Sequence, residues 1–315
     1  MMNNGEPKMK FAPAWVRATA AVVRYLPAGR YRLMNQICRR PPEAFLMKMP
    51  EEFGGVIFKC DLHDAISREV CFTGRYEPQE TMLVQAILRP GMTFVDVGAN
   101  WGYFTFLAAH LVGKSGRVIS VEPDPRLFKA LQESIERNDL EQVAAVQVAA
   151  GSGSGVLNLA GYDDAGSNFG VSRVISKEHT DEKVFAVASR PLDELIDEAN
   201  LSVIDLLKMD IEGYEGFALM GMARTLKERR VKRILLELHP AQLAEHGQSA
   251  AEIIEQLRGF GYCAWRLNHS PQVTRHAAYS KHIDLKTFLQ PFDEGQPLDV
   301  WSHLLWTAPD VELQW

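Results

Sequence analysis

The sequence predicts an α/β fold in which a mostly parallel sheet carries helices on both of its faces. Short runs rich in Val, Ile and Leu alternate with segments of helical periodicity between residues 93 and 260. One of these runs breaks at a glycine-rich turn that leads directly into a helical segment. Several runs end in an acidic residue, at the strand end where open α/β sheets bind their ligands.

Composition places the chain among ordinary globular proteins. The 315 residues are 46% hydrophobic and 23% charged, and no apolar run is long enough to cross a bilayer. The four cysteines are scattered, without a Cys-x-x-Cys pair, which favours free thiols in a reducing compartment. We therefore expect a cytoplasmic protein.

Charge divides the chain into two parts. Residues 1–40 contain eight Lys or Arg and one Glu, a net charge of +7, whereas the remainder carries −13. An acidic body argues against nucleic acid as a partner, because phosphate contacts need a basic surface. We predict a basic helical extension over residues 1–45 and a single catalytic domain over 46–315.

The extension contains one predicted helix, over residues 14–26. Trp15, Ala18, Val22 and Tyr25 recur at helical spacing and form its expected apolar face. Such a helix packs on the body or on a second subunit, or lies on an anionic membrane surface. Homo-oligomerisation and peripheral membrane contact through residues 1–40 both stay open.

The next elements lead to the central strand. Two short strands are predicted at 55–60 and 69–72, joined by a polar turn. A helix should then begin at Pro78, a residue that suits the first helical turn, and bury an apolar face including Leu83 and Ile87. Pro90-Gly91 ends this helix and starts the strand that follows.

The central strand, residues 94–97, ends in the loop Asp96-x-Gly98-x-Asn100-x-Gly102. A dinucleotide fingerprint would need glycine at positions 100 and 103, where this chain has Asn100 and Tyr103. An acid before the turn suits a cationic ligand better than a pyrophosphate. The loop resembles the first motif of S-adenosylmethionine-dependent methyltransferases, whose ligand carries an ammonium group and a sulfonium.

A second strand–helix unit follows. The strand at 117–121 ends in Glu122, which can accept hydrogen bonds from both ribose hydroxyls of such a ligand. Asp124-Pro125 begins a helix, because Asp caps exposed N–H groups and Pro fits the first turn. A third strand at 143–148 ends in Ala149-Ala150, whose small side chains leave room for an adenine ring.

An insertion separates this unit from the second half of the sheet. Gly and Ser are frequent over residues 152–190, and strand-like runs at 155–159 and 183–188 predict a β-hairpin. Four polar residues of the insertion could line a substrate entrance or simply belong to a polar surface loop: Asp163, Asp164, Asn168 and Arg173.

The second half supplies the remaining acids. Strands at 202–209 and 234–238 end in Asp210 and in Glu237-Leu238-His239, and Ser249 with Glu252 forms a capping box. Closing strands are predicted at 262–267 and 300–306. The polar segment 269–296 between them is expected to be a loop over the site.

Three segments together resemble the FkbM family of methyltransferases: Gly74–Pro78, Phe94–Thr105 and Lys208–Glu215. The resemblance covers about residues 54–265. It implies a Rossmann-like class I methyltransferase fold with a seven-stranded sheet, S-adenosyl-L-methionine as cofactor, and O-methylation of a hydroxyl on a sugar or polyketide-type acceptor. Our predicted cofactor-binding residues are Glu77, Asp96, Gly98, Ala99, Asn100, Gly102, Tyr103, Glu122, Ala149, Ala150 and Asp210.

Methyl transfer to a hydroxyl needs an aligned acceptor and a group that takes its proton. The predicted catalytic residues are Asp210, which ends the strand nearest the methyl group, His239, whose ordinary pKa suits a base, and Glu237. These acids could also chelate a divalent cation or simply pair with Lys208. We assign no metal.

Two other functions remain open on sequence grounds. An NAD-dependent oxidoreductase is disfavoured by Asn100 and Tyr103, and a non-catalytic scaffold would need damaged motifs, whereas Asp96, Glu122 and Asp210 are intact.

Overall fold

The structure is a computed structural model that describes residues 9–26, 29–161, 172–175, 184–280, 284–293, 295–298 and 302–313. The helices are α1 (Ala14–Val23), α2 (Arg30–Ile37), α3 (Ala65–Thr73), α4 (Pro78–Ile87), α5 (Tyr103–Val112), α6 (Pro125–Arg137), α7 (Leu192–Glu198), α8 (Glu215–Met220), α9 (Ala223–Lys227), α10 (Pro240–Glu245), α11 (Ala250–Gly259), α12 (Pro271–Tyr279) and α13 (Leu285–Phe288). The strands are β1 (Phe45–Lys48), β2 (Ile57–Cys60), β3 (Thr93–Val97), β4 (Arg117–Val121), β5 (Val143–Val146), β6 (Ala149–Ala150), β7 (Gly155–Ala160), β8 (Arg173–Ile175), β9 (Val184–Arg190), β10 (Leu206–Met209), β11 (Arg233–Leu238), β12 (Cys263–Leu267), β13 (Leu289–Pro291) and β14 (Ser302–Thr307).

A mixed sheet in the order β13-β12-β14-β11-β10-β3-β4-β5 forms the centre of the molecule. Strands β11, β10, β3, β4 and β5 run parallel, and β14 is antiparallel to its neighbours β11 and β12. The class I arrangement with an antiparallel closing strand is thus confirmed. Short β13 adds an eighth strand at the edge of the predicted seven-stranded sheet.

Helices cover both faces because side chains alternate along each strand. Phe94 points into a core shared with α4, α5 and α6, whereas its neighbours Val95 and Val97 point into a second core shared with α7, α8 and α11. Both cores are buried, which matches the near-continuous apolar runs in the sequence. The chain enters the sheet at β3, adds β4 and β5 on one side, and returns to β10 on the other. The carboxyl ends of β3 and β10 therefore flank the topological switch point.

Helix α1 buries a different face from the one the sequence predicts. Val16, Ala20 and Val23 pack into the core beside α3, whereas Trp15 and Val22 are 45% and 61% exposed. Tyr25 lies beyond the end of α1 and is 82% exposed, and Ala18 is also exposed. The expected apolar face thus lies outside, because the buried stripe is formed by smaller residues that fit close to α3.

The extension is also tied to the body through its backbone. Ala12 N donates to Leu46 O at 2.9 Å, and Leu46 N donates to Lys10 O at 2.8 Å, which joins the start of the chain to β1. The boundary at residue 45 stays a prediction.

Two predicted elements are wrong. Residues 69–72 belong to helix α3, because the Asp64 carboxylate accepts hydrogen bonds from Ile66 N and Ser67 N and starts a helix there. Segment 269–296 is not a simple loop: it contains α12, α13 and β13. Helix α12 is held in place by Arg75, whose Nη1 donates to Ala277 O and Ser280 O at 2.8 and 3.0 Å.

The insertion is larger than the hairpin that the sequence predicts. Strands β7 and β9 form the antiparallel pair, and β8 and β6 extend it to a sheet in the order β6-β9-β7-β8. Of the four polar residues singled out there, Arg173 forms an ion pair with Glu245 at 2.8 Å. Asp163, Asp164 and Asn168 lie outside the described residues. None of the described helices has the length and apolarity that a membrane span requires.

Candidate active site

The turn between β3 and α5 is shaped by close approach to β10. A Cβ on Gly98 would lie 2.0 Å from the carbonyl oxygen of Asp210, and its φ of +85° already favours glycine. Gly98 N and Ala99 N both donate to Val121 O, at 2.9 and 3.1 Å. The glycine therefore lets the ends of β3, β4 and β10 meet at one point.

Asp96 occupies the floor of this junction. The side chain is buried, and its Oδ2 accepts a hydrogen bond of 2.7 Å from Thr105 Oγ1, which is itself 2.7 Å from Ser120 Oγ. Burial raises the pKa of Asp96 to about 6, although Lys208 and Thr105 lower it. A fixed carboxylate at this place can pair with a ligand ammonium group.

Glu122 closes the other side of the loop. Its two carboxylate oxygens accept hydrogen bonds of 2.8 Å from Asn100 N and from Asp124 N. Burial raises the pKa of Glu122 to about 8 in spite of these donors. Glu122 therefore orders the glycine loop and keeps acceptor capacity for a ligand, since a carboxylate offers about four lone-pair positions.

A solvent-open cleft lies above these residues, with about 950 Å³ of empty space including its open mouth. The predicted cofactor-binding residues that line it are Asp96, Gly98, Ala99, Asn100, Tyr103, Glu122, Ala149, Ala150 and Asp210. Gly102 is not among the lining residues: a Cβ there would meet Leu131 and Phe106 at 2.6 and 2.7 Å, so this glycine allows close helix packing. Glu77 lines an adjoining pocket instead.

The sequence did not predict several of the residues that line the cleft. Tyr214, Val174 and Ile66 line it from α8's N-terminus, the inserted sheet and α3. Trp101 also lines it, stacks on Phe58 at 4.6 Å and donates from its indole to Asp64 at 3.0 Å. The apolar residues of the insertion could have indicated that Val174 is buried. The positions of Tyr214, Ile66 and Trp101 in the cleft wall depend on how distant segments pack together.

Lys208 is a buried cation beside Asp210. Its Nζ lies 3.1 Å from Asp210 Oδ2 and 3.8 Å from Glu77 Oε2, and 4.7 Å from the centre of the Phe104 ring. Burial opposes ionisation of both Asp210 and Lys208, but their attraction keeps the pKa of Asp210 below its usual value and raises that of Lys208. Asp210 is therefore an ionised carboxylate in a fixed position.

A second pocket adjoins the cleft. Its lining includes Glu77, Glu237 and His239, and the two cavities share Tyr76 and Glu212 as walls. The structure thus brings together all three predicted catalytic residues: His239 Nε2 lies 3.4 Å from Glu237 Oε1 and 3.9 Å from Asp210 Oδ1.

His239 is oriented from behind by a residue that sequence reasoning did not single out. Its Nδ1 lies 3.1 Å from Oε1 of Glu215, which is fully buried at the start of α8. Burial alone would lower the pKa of His239, but Glu215, Glu237 and the neighbouring acids raise it to about 11. The imidazole is therefore protonated near neutral pH in this state.

Three of the six described non-glycine residues with positive φ lie at the two cavities. Glu77, Asn100 and Glu212 have φ angles of +40°, +53° and +55°, a region that costs non-glycine residues free energy. Burial raises the pKa of Glu77 to about 8 and that of Glu212 to about 7. Strained and weakly acidic carboxylates at one junction are typical of a functional site.

Comparison with known proteins decides the family. Residues 96–263 match the family model described as the methyltransferase FkbM domain, which is more than half of the chain. This chain belongs to the FkbM methyltransferase family. S-adenosyl-L-methionine is accordingly the cofactor of this FkbM-family protein, and the oxidoreductase alternative is set aside.

The chain is also similar to individual proteins. The chain is 30% identical over 200 residues to 31-O-demethyl-FK506 methyltransferase FkbM of Streptomyces tacrolimicus, covering 56% of this chain and 74% of that protein. It is 40% identical over 58 residues to arsenite methyltransferase of Halobacterium salinarum, covering 18% of this chain and 15% of that protein. A solved structure of methyltransferase FkbM from Methylobacillus flagellatus KT matches with a TM-score of 0.42 and 17% identity, over 88% of this chain and 58% of that one.

The cleft fits this cofactor. Asp96 can pair with the ammonium group, Glu122 can accept ribose hydroxyls, and the small residues Ala149 and Ala150 leave space for a flat base. The shape of the loop at Gly98 allows the ligand to approach the backbone.

Proposed function

We propose that this methyltransferase transfers the methyl group of S-adenosylmethionine to a hydroxyl oxygen of a small polyhydroxylated acceptor, such as a sugar or a polyketide-type natural product. The observation that carries the proposal is the shared wall of the two cavities. Tyr76 and Glu212 line both the cofactor cleft and the adjoining acidic pocket. An acceptor in that pocket would meet the cofactor at the junction of the two cavities.

Apart from Asp210, the residues of the cofactor cleft hold the methyl donor in position and take no part in proton transfer. With the ribose on Glu122 and the ammonium group on Asp96, the sulfonium would lie towards the end of β10, near Asp210. Lys208 fixes Asp210 on this side at 3.1 Å. Fixed groups around the methyl donor reduce the entropic cost of the in-line displacement.

The transfer itself needs one proton acceptor. The acceptor oxygen forms a bond to the methyl carbon, the carbon–sulfur bond breaks, and its electron pair stays on sulfur, which leaves S-adenosylhomocysteine. The hydroxyl proton passes to a carboxylate. Because His239 is already protonated, Asp210 and Glu237 are the proposed proton acceptors, and His239 holds Glu237 in place at 3.4 Å.

Polar side chains in the second pocket favour a hydroxylated acceptor. Gln79, Gln242 and Thr274 line it together with the glutamates, and such groups bind hydroxyls through paired donors and acceptors. The name of the Streptomyces tacrolimicus relative specifies an O-demethyl substrate, which supports oxygen as the methylated atom here.

The test is product analysis with a panel of acceptors. The full chain is incubated with methyl-labelled S-adenosylmethionine and matched sugar and macrolide-type compounds that carry a free hydroxyl, a thiol or an amine. We expect labelled O-methyl ether from hydroxyl compounds and none from their pre-methylated counterparts. Label on nitrogen or sulfur alone would reject O-methylation while leaving the methyltransferase assignment intact.

A further inference from the structure

A cluster of two histidines and one glutamate lies in the wall of the second pocket. Glu80 belongs to α4, His269 follows β12, and His303 belongs to β14. Glu80 Oε1 lies 2.8 Å from His269 Nε2 and 2.9 Å from His303 Nδ1. The two imidazole rings stack with their centres 4.3 Å apart. Three separate elements therefore place three ligand-type atoms at one point.

The glutamate of this cluster is incompletely satisfied. Glu80 is fully buried, and both histidine nitrogens lie within ion-pair distance of the same carboxylate oxygen, Oε1. The second oxygen, Oε2, has no hydrogen-bond partner in the described part of the chain. A buried carboxylate oxygen without a donor is costly, and a bound cation would satisfy it.

Both the spacing and the surroundings suit a metal ion. Ligand atoms in neighbouring positions of an octahedral site with bonds of ~2.1 Å lie ~3.0 Å apart, close to the two distances from Glu80 Oε1 to the histidine nitrogens. All three ligand atoms lie within 4.8 Å of one another. The other ring nitrogen of His303, Nε2, lies 3.5 Å from Glu237 Oε1. A carboxylate behind a histidine is the usual outer partner of a metal-binding imidazole, because it fixes the ring and the tautomer.

The lining of the pocket points the same way. The described residues that line it include six glutamates beside three histidines. Carboxylate oxygens and imidazole nitrogens in a partly enclosed pocket are ligands that a divalent transition-metal ion accepts.

We propose that Glu80, His269 and His303 bind a divalent first-row transition-metal ion. Two imidazoles and one carboxylate are a donor set typical of such ions, and they leave coordination positions open. Those positions would face the second pocket and take an oxygen of the acceptor, which would orient it. This last role rests on the proposed function, whereas metal binding itself does not. The sequence alone predicts no metal, since it does not bring these three residues together.

The experiment titrates the chelator-treated full chain with Co²⁺ and follows visible absorption and calorimetric heat. We expect about one equivalent to bind with the spectrum of nitrogen and oxygen ligands. His269→Ala, a change at a half-exposed side chain, and Glu80→Gln should each weaken Co²⁺ binding by roughly 10²-fold or more, beyond the 10–100-fold typical of outer partners. His276→Ala, an exposed histidine of α12, and Glu133→Gln, a carboxylate of α6 outside both cavities, should bind as the wild type does.

Two results would overturn the inference. If the wild type binds Co²⁺ no better than His269→Ala, the cluster is only an ion-paired triad. If Asp210→Asn abolishes binding and His269→Ala does not, the ion lies at the other carboxylate cluster, where Asp210, Glu212 and His239 also converge. Calorimetry with S-adenosylmethionine and the acceptor assay are run in parallel. Failure of O-methylation with intact Co²⁺ binding would therefore count against the proposed function alone.

Discussion

The cofactor cleft and the acceptor pocket share a wall but are built differently. The cleft is formed mainly by strand ends and the turns that directly follow them, such as Asp96 with Gly98 and Glu122 with Asp124. The pocket is assembled from α4, the ends of β11 and β12, and β14, which are far apart in sequence. Its acids and histidines pair across elements, as Glu80 does with His303.

Because they are built differently, the two cavities make different contributions to the reaction. The cleft uses backbone donors and a tight turn to hold one ligand that every member of a cofactor-dependent family shares. The pocket uses side chains from separate elements, which can vary without altering the cleft. Binding of the cofactor and turnover of the acceptor should accordingly respond to different substitutions, and four measurements examine this separation.

The largest effect is expected at the junction, from Asp210→Asn. The substitution keeps the size of the side chain but removes its charge and most of its basicity. Turnover at saturating S-adenosylmethionine should fall by roughly 10²-fold or more, the usual scale of general acid–base catalysis. The measurement is initial rate against cofactor concentration, with Glu133→Gln, a carboxylate of α6 outside both cavities, as the control.

A full recovery of the rate at saturating cofactor would contradict this prediction. Asp210 would then act only as an anchor for the ligand, and Glu237 would remain as the proton acceptor. Asp210 would then belong in function to the cofactor cleft alone.

Glu122→Ala should act on the cleft alone. Loss of the ribose contacts should weaken S-adenosylmethionine binding by about 2–3 kcal/mol, the value of hydrogen bonds to a charged group. Part of the loss reflects the loop, because Glu122 also accepts Asn100 N and Asp124 N. Calorimetry measures the affinity, and Glu133→Ala on the surface of α6 is the control. An unchanged affinity would remove Glu122 from the cofactor site.

The pH dependence of cofactor binding should identify the same carboxylates. The pKa values of Asp96 and Glu122 are raised to about 6 and about 8, so both are partly protonated in the free protein. A cationic ligand that accepts no proton favours the ionised forms, so binding releases protons and tightens as pH rises. The association constant should increase up to about tenfold per pH unit between these values and fall again above about pH 8, where the ammonium group of the ligand loses its proton. In Glu122→Gln the increase of the association constant between about pH 6 and pH 8 should vanish. If wild-type affinity for S-adenosylmethionine does not change with pH, Asp96 and Glu122 are not the carboxylates that bind the ligand.

The smallest effect concerns α1, which lies outside both cavities. Trp15, Val22 and Tyr25 are exposed, and Lys10 and Arg17 are exposed nearby. We predict binding to vesicles with anionic lipid, and about a fivefold loss for Trp15→Ala, since burying part of an aromatic side chain contributes on the order of 1 kcal/mol. Co-sedimentation measures it, with Val203→Ala as the exposed apolar control. A change in oligomeric state without vesicle binding would favour a second subunit as the partner, and catalysis should be unaffected in either case.

The sequence by itself determined the parallel sheet, its order of strand and helix, and most of the cofactor cleft. These features depend on neighbours along the chain: a buried strand, an acid at its end, a turn that needs glycine, and a helix cap. The loop from Asp96 to Asn100, Glu122 and the pair Ala149-Ala150 are all of this kind, and all line the cleft.

Only the tertiary structure decided which side of α1 is buried and how the acceptor pocket is assembled. Helical spacing gives the periodicity of a face but not which of two apolar stripes fits closest to α3. The triad of Glu80, His269 and His303 spans more than two hundred residues, and Glu215 reaches His239 from another element. No local pattern encodes such contacts, because they arise when packing of the sheet brings strand ends and helices to one edge.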